Sequence, residues 1–216
     1  MAQVPTGTTF FVASAYGASI NTTAVSNATE AVVTTASAHS YSNGDVVEVT
    51  SGWGRLSKRV FRIKAASGST LTLEGADTSS TSFFPSGSGI GSVRKITTFT
   101  QVVQVLGINA SGGDPKNIPY KYFESDNEFN INDGFSSQLM TLDLDADSIG
   151  TAGYTAAKSL TEVQTDSCLR INTRNGALIY QPATFALNEA VIFQEGQINR
   201  VRLSINSNGR LVRYAS

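Results

Sequence analysis

The sequence has little of the chemistry on which many enzymes and metal sites depend. Among 216 residues there is one cysteine, Cys168, one histidine, His39, and one tryptophan, Trp53. A single cysteine excludes a disulfide within this chain and a zinc site built from cysteines. Cys168 lies in the alternating run SCLRINTR, which favours a small buried side chain on a strand. His39 lies beside an Asn-Gly turn without a G-x-S-x-G motif, so we expect a polar turn residue and no catalytic base.

Charge is scarce and balanced. Charged residues make up 15% of the chain, and 16 Lys and Arg face 17 Asp and Glu. A surface that binds nucleic acid needs a surplus of cations, because its affinity comes from counterions released at the phosphates. The densest basic group, Arg55, Lys58, Arg59, Arg62 and Lys64, alternates with apolar residues in KRVFRIK, which is typical of the exposed face of a strand. We therefore expect no specific binding of nucleic acid.

Long apolar runs are missing as well. Nowhere do 18 apolar residues follow one another, and the opening MAQVPTGTTFF has neither the basic segment nor the apolar core of a signal peptide. We therefore expect no cleaved signal and no membrane anchor.

Short alternating runs dominate the chain and predict a mainly β fold. In one of them Val201, Leu203 and Ile205 alternate with polar residues, so one face of the strand is expected to be buried. The Asn-Gly pairs at 43–44, 175–176 and 208–209 indicate hairpin turns, because both residue types tolerate positive φ. The predicted strands are 8–14, 45–50, 58–65, 69–74, 97–107, 119–125, 137–145, 167–174, 177–183, 189–195 and 197–206.

Only residues 151–163 have helical spacing, with Asp147 and Ser148 as expected N-terminal caps. Composition also changes along the chain, because residues 23–95 contain short strands that end in the flexible run SSTSFFPSGSGIGS. We predict a small inserted β-barrel-like module at 23–95. The larger β-sandwich domain would comprise residues 1–22 and 96–216 with one flanking helix. Trp53, which has a glycine on each side, is expected to pack over the mouth of the small barrel.

Three aspartates alternate in LDLDADS, at Asp143, Asp145 and Asp147. A calcium loop of the D-x-[DN]-x-[DN]-G type would need a glycine and a bidentate glutamate where Ser148 and Tyr154 stand. On an extended strand the three carboxylates would share one face. We therefore expect a solvated negative stripe and no metal.

Further carboxylates crowd the segment SDNEFNINDG, at Glu124, Asp126, Glu128 and Asp133. Two carboxylates across a sugar could serve a glycosidase, but nothing in the sequence marks one of them as buried. The residues therefore predict a protein that is not an enzyme and has no cofactor.

Four stretches resemble the major tail tube protein of long, non-contractile-tailed bacteriophages. They are PTGTTFFVASAYGAS, AHSYSNGDVVEVTSGWGRLSKRVFRI, FFPSGSGIGSVRKITTFTQVVQVL and NGRLVRYAS. The resemblance implies a β-sandwich whose copies close into hexameric rings. The rings would stack into a tube around the tape-measure protein and later the genome, with the helix and the module on the outside.

The resemblance also implies partners and a location. The chain would assemble with itself in the cytoplasm of the host bacterium, between tail-terminator and tail-tip proteins, and would become part of the virion tail without contact with a membrane. DNA would pass through the lumen without specific binding, and Asp143, Asp145 and Asp147 are our candidates for its lining. The glycines and prolines of 110–119 predict a flexible loop that contacts the next ring. The candidate residues for that contact are Ser111, Gly112, Gly113, Asp114, Pro115 and Lys116.

The main alternative is a carbohydrate- or receptor-binding β-sandwich module of a phage or bacterial surface protein. Trp53 and the tyrosines would then form platforms for sugars. A hydrolase is a third reading, and it rests only on the scattered carboxylates.

Overall fold

The computed structural model describes residues 6–215 and is mainly β, with 51% strand and 7% helical residues. The prediction of a mainly β fold with one helix and a small barrel is confirmed. Within the described residues the elements are β1 (Thr9–Tyr16), β2 (Ile20–Val25), β3 (Val32–Thr35), β4 (Val46–Ser51), β5 (Arg59–Ser67), β6 (Thr70–Leu73), β7 (Gly91–Val102), β8 (Val105–Ser111), β9 (Pro115–Tyr120), β10 (Phe129–Phe135), β11 (Leu139–Asp145), α1 (Ala152–Val163), β12 (Ser167–Asn172), β13 (Leu178–Ile192), β14 (Arg200–Ser207) and β15 (Val212–Tyr214).

Six strands close a barrel in the order β2-β3-β6-β5-β4-β7. The barrel closes where β7 returns to β2, through the pairs Ile20 with Val93 and Asn21 with Ser92. Its interior is apolar, and Val47, Phe61 and Leu71 are fully buried there. Closure leaves this part of the sheet without a free edge. The proposed module of residues 23–95 contains most of the barrel, and its boundaries stay a prediction.

The long strand β7 connects the barrel to the rest of the sheet. Its first part, 91–95, pairs with β4, and its second part, 96–102, pairs with β1. From β1 the sheet continues through β12, β13, β14 and β11 to β8, with every pairing antiparallel. One chain segment therefore belongs to both halves of the molecule.

Helix α1 covers a second apolar core, formed with side chains of the sheet outside the barrel. The helix begins after Thr151, whose side chain accepts a hydrogen bond from the N–H of Tyr154. Asp147 and Ser148 were predicted as caps, and this was wrong because both lie in a separate 3-10 turn, Ala146–Ser148. The helix ends at Gln164, which adopts a left-handed conformation.

Some predicted strands differ from the structure for local reasons. The expected strand 97–107 is interrupted at Gln104, whose φ is +57°. Strand β13 joins the predicted strand 177–183 to part of the predicted strand 189–195, and its pairing with β14 is irregular before Ile192. The expected strand 119–125 lies earlier, at Pro115–Tyr120. Four strands were not predicted, namely β2, β3, β10 and β15, and all of them are short or largely exposed.

The Asn-Gly predictions were right once and wrong twice. The pair at 175–176 closes the hairpin of β12 and β13 as expected. The pair at 43–44 lies before β4 and does not close a hairpin. The pair at 208–209 connects β14 to β15, and these two strands each pair with β13 instead of with each other. Positive φ belongs to Gly44 and Gly176 but not to Gly209, so the dipeptide alone did not determine the turn.

The last strand fastens the sheet to the barrel. The Tyr214 hydroxyl accepts a hydrogen bond from the N–H of Arg62 at 2.9 Å and donates one to the carbonyl of Glu74 at 3.1 Å. The Arg62 guanidinium lies 4.6 Å from the centre of the Tyr214 ring. Burial raises the pKa of Tyr214 to about 12. The residues around 208–214 are thereby held against the barrel wall.

We predict that Gly153→Ala destabilises the protein, although alanine normally favours a helix. A Cβ at Gly153 would lie 2.7 Å from the Cα of Val102 and would collide with the Gln101 carbonyl, because α1 packs tightly on β7. We expect the free energy of unfolding to fall by about 1–3 kcal/mol in urea denaturation. The control Gly107→Ala adds a Cβ in open space and should change it little. Equal stability of the two variants would contradict this packing.

Candidate assembly surface

A two-stranded hairpin projects from the sheet, and we call residues 112–136 the arm. Its strands β9 and β10 pair with each other in a sheet of their own, with Ile118 opposite Ile131 and Tyr120 opposite Phe129. Within residues 6–215, neither strand packs extensively against any other strand or helix. The arm therefore contributes little to the folded core.

The surface of the arm is unusually apolar for a part of the chain that packs on little else in residues 6–215. Nearly every side chain in it is exposed, the exceptions being Tyr120, Ser125 and Ser136. Soluble monomers rarely expose contiguous apolar surface unless a partner covers it. The exposed apolar residues of the arm are Ile118, Tyr122, Phe123, Phe129, Ile131 and Phe135.

An isolated hairpin is at best marginally stable in water. Three rings give this one local order, because the Tyr120 ring centre lies 5.5 Å from that of Tyr122 and 5.6 Å from that of Phe129. This small cluster leaves the Ile118 and Ile131 side chains half exposed. Contact with another molecule would stabilise the arm by burying them.

Strand β8 forms the free end of the large sheet. It pairs with β11 on one side, and its other edge has no strand partner in the described part of the chain. Leu106 and Ile108 on this strand are both nearly half exposed. An open edge with apolar side chains is a template for pairing with another chain.

The six residues from Ser111 to Lys116 lie where the arm leaves the sheet. Ser111 ends β8 and Pro115 begins β9, so residues 112–114 link two strands, and the flexibility of the segment stays a prediction. Gly112 and Gly113 in this link have positive φ, and a Cβ at Gly112 would collide with the carbonyl of Ser137. Asp114 and Ser136 exchange hydrogen bonds across the base of the arm, at 2.8 and 3.0 Å. The segment therefore sets the direction of the arm.

The aspartate stripe is divided by the end of a strand. Asp143 and Asp145 lie on the polar face of β11, whereas Leu142 and Leu144 are fully buried behind it. Asp147 does not share that face as expected, because it lies in the 3-10 turn, where its N–H donates to the side chain of Asp145.

The stripe is also neutralised in part by the neighbouring strand. Asp143 lies 3.2 Å from Arg202 and 3.8 Å from Arg200, and these two arginines stand opposite Asp143 and Asp145 on β14. This face of the sheet therefore carries charges of both signs.

The residues that a catalytic or sugar-binding reading would use have structural roles. Trp53 is buried in the barrel, and its Nε1 donates to the carbonyl of Pro85 at 2.8 Å, so the packing prediction is confirmed and a sugar platform at Trp53 is excluded. His39 accepts from the N–H of Tyr41 and contacts the Thr70 carbonyl, as expected of a turn residue. Cys168 is buried, and burial raises the pKa of its thiol.

The carboxylates Glu124, Asp126, Glu128 and Asp133 all lie on the exposed arm. Residues 6–215 contain no group of three or more histidine, cysteine, aspartate or glutamate side chains placed to hold a metal ion. No helix in the described residues is long and apolar enough to cross a membrane. The exposed apolar residues of the arm were not predicted to form a surface. The only signal for them was aromatic and isoleucine residues among acidic and amide residues in YKYFESDNEFNIN.

Comparison with known proteins identifies one family. The model of the family described as phage tail tube protein, TTP, matches residues 51–216, which is more than half of the chain and includes the arm, α1 and three of the six barrel strands, β5, β6 and β7. No curated protein matches the sequence.

We predict that shortening the arm leaves the fold intact. Replacing residues 119–130 with Asn-Gly would join Ile118 to Ile131, which already face each other, through a two-residue turn. The melting temperature should change by less than about 3 °C, because the removed residues pack only on the arm itself. Tyr214→Phe serves as a sensitivity control, since losing its two hydrogen bonds should lower the stability by about 1–2 kcal/mol. Unfolding of the shortened chain would contradict the independence of the arm.

Proposed function

The chain belongs to the phage tail tube protein family, and from this membership we propose that it forms hexameric rings that stack into the tube through which a phage delivers its genome. A structural role in the virion tail and assembly of copies into a tube follow from the family, which is not an enzyme family. The single observation that carries the finer proposal is the arm, an apolar hairpin that residues 6–215 leave exposed.

Two uncovered surfaces support two kinds of contact. The free edge of β8 supports pairing between neighbours within a ring, because a closed ring needs a head-to-tail interface whose rotation returns to the start. The arm supports contact with the next ring, and its base at Ser111–Lys116 sets its direction. Stacking of rings repeats without limit and therefore produces a tube.

The proposed tube has defined contents and ends. It would surround a tape-measure protein during assembly in the host cytoplasm, and terminator and tip proteins would close its two ends. The virion would be that of a phage with a long, non-contractile tail. The barrel and α1 would face outward, which agrees with the closed edges of the barrel.

We predict that the arm is needed for polymerisation. Ile118→Ser with Ile131→Ser removes two half-exposed apolar side chains, and burial of each on assembly would contribute about 1–2 kcal/mol. The concentration at which tubes appear, measured by sedimentation and negative-stain microscopy, should rise at least about tenfold. The shortened-arm chain should give folded subunits and no tubes.

A matched control makes the same kind of change outside the arm. Ile90→Ser with Val163→Ser alters two similarly exposed residues on the barrel and at the end of α1. This control should form tubes at the wild-type concentration. Equal behaviour of the two pairs would contradict a role for the arm, and absence of tubes or rings from the wild-type chain would contradict the proposed function.

We also propose that the polar face of β11 and β14 lines the lumen, with Asp147 beside it. The pairing of Asp143 with Arg200 and Arg202 supports this, because a wall with balanced charge does not capture phosphates. A wall with a surplus of cations would bind the passing DNA and slow it.

We predict that Asp145→Lys with Asp147→Lys slows genome ejection from phage particles without preventing tube assembly. The added cations would each attract backbone phosphates, and the effect would repeat in every subunit along the tube. The control chain carries the same total change in charge on exposed residues of α1, through Thr155→Lys, Ser159→Lys and Glu162→Lys. Equal ejection rates for the two chains, measured by release of labelled DNA, would count against a lumenal position.

A further inference from the structure

Charged side chains of the barrel and of the sheet are mostly satisfied within the chain. Arg62 pairs with Glu74, Arg94 with Glu48 and Lys95 with Asp45, each at 2.5–2.8 Å. Among the charges in the described residues that have few or no such partners, two groups form clusters. One is basic and lies between the barrel and the base of the arm, and the other is acidic and lies at the end of the arm.

The basic set lines a cavity of about 700 Å³, which we call the basic cleft. Its cations far outnumber its one lining carboxylate, Asp77, and aromatic rings form part of its wall. Of the four cations, only Lys58 has an ion-pair partner within residues 6–215, namely Asp166. The charged and aromatic residues of its lining include Arg55, Lys58, Arg59, Arg210, Phe83 and Phe135.

The arginines of the cleft are held in place but are not neutralised. The Arg55 guanidinium stacks 3.6 Å from the centre of the Phe83 ring, and Arg59 leaves its buried Nε without a hydrogen-bond partner. Burial and the nearby Arg210 lower the pKa of Arg59. Two positive groups packed this closely favour an anion between them.

The acidic set occupies the acidic tip, which we define as residues 121–128. Phe123 is fully exposed there, and Tyr122 is more than half exposed. Glu124, Asp126 and Glu128 flank Phe123 against a single lysine, Lys121, and none of the three carboxylates has an ion-pair partner in the described chain. The tip thus presents an aromatic ring surrounded by negative charge.

The tip and the cleft complement each other but do not meet within one chain. The cleft contacts the arm only at its base, through Gly134 and Phe135. The pair Phe135–Pro115 lies at the base of the arm, and the pair Phe129–Tyr120 lies toward its tip. Between these pairs β9 advances by five residue steps, which is roughly 17 Å at the rise of a strand. The tip therefore points away from its own cleft.

We propose that the acidic tip of one copy docks in the basic cleft of the next copy in the tube. Phe123 would pack against Phe83 and Phe135, and the carboxylates of the tip would pair with Arg55, Arg59 and Arg210. The contact joins two different surfaces of identical chains, so it repeats head to tail as a growing tube requires. This inference rests on the proposed function and specifies which surface receives the arm.

The test exchanges charge between the two surfaces of the full chain. The tip-reversed chain carries Glu124→Lys and Glu128→Lys, and the cleft-reversed chain carries Arg55→Glu and Arg210→Glu. All four residues are exposed, so both chains should fold normally. Each should need at least about tenfold more protein to form tubes, because like charges would face each other at the contact. The chain with all four substitutions should form tubes within about threefold of the wild-type concentration, since the attraction is restored in reverse.

The outcomes separate this inference from the proposed function. Docking of the tip in the cleft would be overturned if either single-surface variant formed tubes normally, or if the chain with all four substitutions did not regain tube formation. In both cases the tubes of the wild-type chain would still support the proposed function. A wild-type chain that gives neither rings nor tubes would overturn both. Higher salt should raise the concentration needed by the wild type, because it screens exposed charge pairs.

A second measurement locates the contact directly. Phe123 is replaced with the photo-reactive amino acid benzoylphenylalanine, and tubes are formed from a mixture of this chain and isotope-labelled wild type. Crosslinks should join position 123 to labelled peptides that contain residues 53–59, 83–84 or 208–211. Crosslinks to other regions of the labelled chain, or only within one chain, would overturn the proposal.

Discussion

The structure depends on one constraint: the large sheet ends in an open strand and a hairpin that the described part of the chain leaves largely uncovered. The barrel avoids this problem by closing β7 onto β2. The sheet has no such closure at β8, and the arm that follows exposes six apolar side chains. Burial of that surface requires another molecule. In a protein whose family builds tubes, an identical copy is the natural partner.

The molecule thus separates stability from assembly. The subunit is held together by its buried cores, by the packing of the helix on β7 at Gly153, and by the hydrogen bonds of Tyr214 to the barrel. The arm takes almost no part in these contacts, so it can remain available until a partner arrives. Marginal local stability is expected of segments that become ordered or covered on binding.

Sequence alone identified the parts that follow simple periodicity. The alternation of Val201, Leu203 and Ile205 and the burial of Cys168 and Trp53 were predicted correctly. The arm was not predicted, because alternation in FNIN looks the same whether the apolar face is buried by the chain or left for a partner. The break at Gln104 escaped prediction, because glutamine carries no local signal for its positive φ. The cap at Thr151 was missed although threonine is a favoured cap, because Asp147 and Ser148 nearby are favoured caps as well. The basic cleft combines residues from four distant segments, so no local pattern could indicate it.

The central claim is that assembly covers the arm, and amide hydrogen exchange of the assembled and unassembled protein tests it most directly. In dilute subunits the amides of residues 115–135 should exchange quickly, while those of the barrel strands are protected. In tubes the arm amides should slow by at least about tenfold, and the barrel amides should change little. Arm amides that exchange equally fast in tubes and in free subunits would contradict the account.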